Sequence, residues 1–139
     1  MKIAILLLIT LFSSFTMKAQ NHQHKNNNMT LEYSDGNGNY YKITVDSIIY
    51  NPITKEMSSS GLYDGGDPVE KSITKVEFLA IRNEFEAIFN KKEIHIQHRM
   101  KTSGRLAVNK GQSNEKQVII KRSDEQEKLE KLLKSLLTD

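Results

Sequence analysis

The sequence predicts an α+β domain: a mainly antiparallel sheet with two helices packed on one of its faces. Three observations lead there. Residues 72–90 and 123–137 carry apolar side chains at spacings of three and four. The segments before and between them alternate apolar and polar with period two, and Gly, Asn and Asp cluster where the alternating runs stop. The order is strands, helix, three-strand meander, helix. Neither strand group can bury its apolar face alone, so both must share the helices.

The first helix is the clearest element. Thr74 followed by Glu77 forms a capping box, with Ile73 and Phe78 at the two positions of a hydrophobic staple. Phe78, Ile81, Phe85, Ile88 and Phe89 make one apolar stripe, and Arg82 and Glu86 form an i,i+4 pair on its flank. Asn90, Lys91 and Lys92 suit the negative end of the helix dipole. A stripe of this composition packs a core far more often than it lines a lipid or cofactor groove.

Ahead of this helix, residues 1–19 have the layout of a secretory signal peptide. Lys2 is followed by an apolar run over residues 3–15, with Ala19 as the small residue at the cut. That run is too short for a permanent transmembrane helix, so no membrane anchor is expected after cleavage. The reading is an exported protein, periplasmic or secreted. Residues 20–28, QNHQHKNNN, hold no apolar residue beyond Met29's doorstep and read as a disordered polar tail, leaving residues 29–139 as the single domain. No cysteine is present, which excludes disulfides, thiolate nucleophiles and Cys-based zinc sites.

Met29, Leu31 and Tyr33 alternate as a first strand, and Asp35-Gly36-Asn37-Gly38 turns. Residues 40–50 read as one long strand with Tyr41, Ile43, Val45 and Ile49 on its core row. A further strand is expected around residues 57–63, and residues 64–68 as a loop into the helix. After the helix, Ile94, Ile96, His98 and Met100, then Leu106 and Val108, then Val118 and Ile120 define the meander. The last helix opens with Ser123 and Gln126 as a second capping box. It buries Leu129, Leu132, Leu133, Leu136 and Leu137, with Glu127–Lys131 and Glu130–Lys134 as surface pairs.

The chemistry-bearing patterns are weak. Ser72-x-x-Lys75 with Lys101-Thr102-Ser103-Gly104 echoes penicillin-recognising enzymes, but residues 72–75 are better explained as the start of a helix. Asp35, Asn37, Asn39 and Asp46 echo a calcium loop, yet Tyr40 stands where Gly is needed, and a hairpin turn is the stronger reading. His95 and His98 fall on opposite faces of a strand, and no His belongs to a nucleophilic triad. Residues 91–122 hold nine Lys or Arg against Glu93 and Glu115. With no aromatic there to stack on bases, a solvated basic face is favoured and no nucleic acid is expected.

The expected function is therefore a small exported, non-enzymatic binding module, with no cofactor and with another protein as partner. Inhibition of an envelope or secreted enzyme is one specific form. The alternative is a small-ligand or metal-binding protein. For a metal, cleavage after Ala19 would expose Gln20, Asn21 and His22 as a square-planar Cu(II) or Ni(II) site, with His24 assisting. For the protein partner, the even row of the long strand supplies Tyr40, Ile48 and Tyr50 as a contact patch, with Tyr63 at its edge.

Overall fold

The computed structural model describes residues 29–138. Its seven strands are β1 (Met29–Ser34), β2 (Tyr40–Ile43), β3 (Ser47–Asn51), β4 (Val69–Ser72), β5 (His95–Ile96), β6 (Gly104–Lys110) and β7 (Ser113–Ile120). The helices are α1 (Lys75–Asn90) and α2 (Asp124–Thr138). One sheet holds all the strands in the order β4-β3-β2-β1-β6-β7-β5, and every neighbouring pair is antiparallel. The α+β class with two helices on one face is as the sequence predicts.

The core lies between that face and the helices. Leu31, Tyr33, Tyr41, Ile43, Ile48, Leu106 and Ile120 come from the sheet. Phe78, Ile81, Phe85, Ile88 and Phe89 of α1 and Leu129 and Leu133 of α2 meet them. The α1 cap forms as expected: the Glu77 N–H donates to Thr74 Oγ1 (3.2 Å) and the Thr74 N–H donates back to Glu77 Oε2 (2.6 Å). The carboxylate of Glu77 is held below its usual range by that backbone hydrogen bond. Arg82 and Glu86 pair at 3.4 Å.

Five expectations are corrected. Residues 40–50 are not one strand. The Thr44 N–H donates to the Ser47 carbonyl (2.8 Å), and Thr44 Oγ1 bonds Asp46 (2.6 Å) and accepts from the Ser47 N–H (3.1 Å). This closes a turn between β2 and β3 and resets the parity. Ile48 therefore faces Ile43 inside the core, while Val45 sits exposed on the turn. The strand expected at residues 57–63 is a chain of turns, because Ser58 and Gly61 donate back to Thr54 and Ser58 respectively. In its place β4, a four-residue strand, pairs with β3.

The meander is also broken. A 3-10 turn, Lys92–Ile94, and a bend at residues 97–98 cut the third strand group to β5, which lies outside β7 at the sheet edge. His98 and Met100 are consequently exposed. The second capping box is half made: the Gln126 N–H donates to Ser123 Oγ (3.3 Å), but the Gln126 side chain turns inward. Finally, Glu127 and Glu130 pair with Arg122 (3.1 and 3.2 Å).

Candidate functional site: a three-loop platform

Three connections gather at one end of the sheet: the β1–β2 turn, residues 52–68 between β3 and β4, and residues 97–103 between β5 and β6. A polar network locks them together. The Asp35 carboxylate accepts the N–H groups of Asn37, Gly38 and Asn39, each at 2.9 Å, and Asn39 Nδ2 (2.7 Å). Its lone pairs are thus filled by the hairpin, which accounts for the calcium-loop pattern without a cation. Asp46, the last residue of that pattern, belongs to the other turn.

Asn39 carries the network outward. It is 3% exposed. Its Nδ2 also donates to the Tyr63 hydroxyl (2.6 Å), and its Oδ1 accepts the Ile53 N–H (3.0 Å). Tyr50 adds a strut, donating its hydroxyl to the Gly65 carbonyl (2.8 Å). Arg99 reaches across and donates to the Asp35 carbonyl (2.6 Å), tying in the third loop. Ser103 closes that loop on itself, donating to the Met100 carbonyl (2.6 Å) and accepting the Met100 N–H (3.0 Å).

Two glycines are required by this close approach. A Cβ on Gly36 would stand 2.6 Å from the Lys101 carbonyl oxygen, and one on Gly65 would stand 2.7 Å from the Pro52 side chain and against Asn39. Gly36, Asn37, Met57, Tyr63 and Lys101 line the shallow crevice where the three loops meet.

The network is polar, yet among the polar residues of these loops three large apolar side chains stand out in water. Leu62 is 83% exposed, Met57 67% and Met100 53%, three of the five large apolar residues exposed among the described residues. Around them stand Lys55, Glu56, Asp64 and Lys101, a mixture of signs.

The sequence-based contact patch is only partly brought together. Tyr40 does lie on the open sheet face, beside Glu32, Ser34, Arg105 and Ala107. Its hydroxyl is pushed up to about 12 by burial, with the Glu32 charge adding to it. Ile48 is 0% exposed and cannot contact a partner. Tyr50 points to the core side, its ring 4.8 Å from that of Tyr41. Burial also pushes its hydroxyl up to about 12, with Tyr63 contributing. Tyr63 belongs to the platform. The corrected parity puts Ile49, the cross-strand partner of Lys42, on the open face where Ile48 was expected. Gln20, Asn21, His22 and His24 lie outside the described residues, as do the signal-peptide and tail expectations.

Met57, Leu62 and Met100 are not among the binding residues expected from the sequence, which placed them on strands. The usable signal was length: a seventeen-residue connection between β3 and β4 is long for a compact domain, and such loops usually serve a function. A second polar cluster lies under α2, where Glu130 accepts the Tyr33 hydroxyl (2.6 Å), Gln126 Nε2 (2.9 Å) and Arg122 (3.2 Å). Burial first, and Glu130 second, push the Tyr33 hydroxyl far up. With three donors on one carboxylate, this reads as a strut between sheet and helix.

Among the described residues no cluster of three or more His, Asp or Glu is placed to hold a metal ion. None of their helices is long and apolar enough to cross a membrane. Comparisons with protein families, with curated proteins and with solved structures found no match.

Proposed function

We propose that this chain is a small exported, non-enzymatic binding module whose partner is another protein, engaged through the three-loop platform. The observation that carries the reading is the pairing of exposed Leu62, Met57 and Met100 with a buried polar network that fixes the loops beneath them. Apolar anchors on a pre-organised frame lose little entropy on binding. Methionine also adapts its shape to a partner surface. The mixed charges around the anchors suit a protein surface better than an anionic membrane, which would call for basic residues alone.

Inhibition of an envelope or secreted enzyme remains one form of this function. The turns within residues 54–61 hold that loop compact. It would thus act as a plug in a groove and not as an extended substrate-like strand.

The test is site-specific photo-crosslinking of the mature protein in its native host. A crosslinking residue at Leu62 should yield a discrete protein adduct, while one at Lys134, on the far surface of α2, should yield none. Adducts from Tyr40 with none from Leu62 would move the interface to the open sheet face. Adducts from neither would overturn the reading.

A further inference from the structure

β7 extends past its outer neighbour. β5 covers only Ile119 and Ile120, through the pairs Ile96–Ile119 and His95–Ile120. No strand of the described chain lies outside residues 113–118. The Lys121 N–H donates outward to the Ile94 carbonyl (2.9 Å). Main-chain groups alternate sides along an antiparallel strand. Ile119 and Gln117 therefore direct their N–H and C=O to the same outer side, and those of Gln117 meet no strand.

Closer to the turn, the register steps from Val108–Lys116 to Asn109–Asn114, so Glu115 is the extra residue of a bulge and the regular edge ends there. The usable edge is residues 116–118, in line with β5.

The side chains bordering it define what fits. Val118 packs against the core, so Lys116, two residues away, projects on the same side. There it joins Phe89, Asn90, Lys92 and His95 around an open crevice, its Nζ 5.8 Å from the centre of the Phe89 ring. Glu115, the acid of this crevice, is directed to Lys110 (3.9 Å).

We infer that the outer edge of β7 is a strand-addition site for an extended, acidic segment of a partner protein, independent of the loop platform. The added strand runs antiparallel to β7, continuing the line of β5. Its central residue exchanges both main-chain hydrogen bonds with Gln117. Its neighbours on the crevice side place an apolar side chain opposite Val118 and a carboxylate opposite Lys116 and near Lys92.

A second copy of this chain fits less well. In a two-fold antiparallel pair only residues on the same face stand opposite, so Lys116 would meet its own copy or Val118, never an acid.

The probe is the peptide Val-Thr-Glu-Ser-amide, whose Val, Thr and Glu fall opposite Val118, Gln117 and Lys116 and which stops short of Ile119, already paired with Ile96. With the full mature protein, amide hydrogen exchange read by NMR should slow about tenfold at Gln117 under saturating peptide. Methylating the backbone nitrogen of the peptide Thr should abolish that protection. Replacing the peptide Glu by Lys, or making Lys116→Glu in the protein, should weaken binding about threefold. Unchanged exchange at Gln117 at millimolar peptide overturns strand addition. Equal protection by the Lys-containing peptide overturns the acidic partner, and protection by the N-methylated peptide overturns main-chain recognition. Lys116 is exposed, so its variant should fold as the parent does.

Discussion

The helix-covered face and the loop end of this domain are held together by opposite means. Under α1 and α2 the contacts are mainly apolar, with Phe85, Ile81, Leu129 and Leu133 packed among Tyr33, Tyr41 and Ile48, and the Glu130 cluster is a polar strut there. At the loop end a polar network of Asp35, Asn39, Tyr63 and Arg99 holds the loops, and three large apolar side chains, Met57, Leu62 and Met100, stand exposed among polar neighbours. An apolar core must hide its large side chains. A hydrogen-bonded one leaves them free to face outward, which is what a docking surface requires.

Breaking each region in turn should give effects that differ in size and in kind. The largest belongs to the packed face. Phe85→Ala removes a 1% exposed ring and should cost about 3–5 kcal/mol, read as a lower midpoint in urea unfolding. Asn39→Ala should cost less, about 1–3 kcal/mol, because it strands the Ile53 N–H and frees Tyr63. Its distinguishing mark should be faster amide exchange confined to residues 53–65, with the helices unaffected.

Alkali should separate the regions as well. The folded state favours the neutral phenols of Tyr33, Tyr40, Tyr41 and Tyr50, burial being the first cause for each. A raised folded value means that this stabilisation is complete below the ordinary tyrosine range, near pH 10, and is lost as pH rises through the folded values. Absorbance at 295 nm should show Tyr40 and Tyr50 ionising near pH 12, and Tyr33 and Tyr41 only as the protein unfolds. Early ionisation of Tyr33 would mean that its burial, and with it its bond to Glu130, does not persist.

The smallest stability effect is expected at the platform surface. Met57→Ser with Leu62→Ser should move the folding free energy by no more than about 0.5 kcal/mol. Loss of partner crosslinking in that double variant, without a thermal shift, would mark these residues as serving binding alone.

The helices and the core strands were legible because their patterns are periodic and their caps local. Thr74 with Glu77, and the stripe from Phe78 to Phe89, needed no tertiary information. What failed was parity. Thr44, Asp46 and Ser47 make a turn from side-chain bonds that a run rich in β-formers conceals, and one hidden turn moved Ile48 and Tyr50 to the core side. β4 was illegible for a different reason: Val69-Glu70-Lys71-Ser72 has almost no pattern, and pairing with β3 decides its conformation. The platform was half visible. Asp35 and Asn39 drew notice as possible cation ligands, but their real partners, Ile53 and Tyr63, stand fourteen and twenty-four residues from Asn39.

The pairing of β1 with β6 bears on how such a chain is made. Met29 finds Lys110, and Ser34 finds Arg105, across most of the length of the domain. A ribosome releases the chain from its N-terminus, so the first strand must wait unpaired on one side until the sixth has emerged. Closing so long a loop is entropically costly and slows collapse. For the exported module proposed above, that delay has a use: a nascent chain unable to complete its central sheet stays threadable through a translocation pore, and folds once the last strands have crossed.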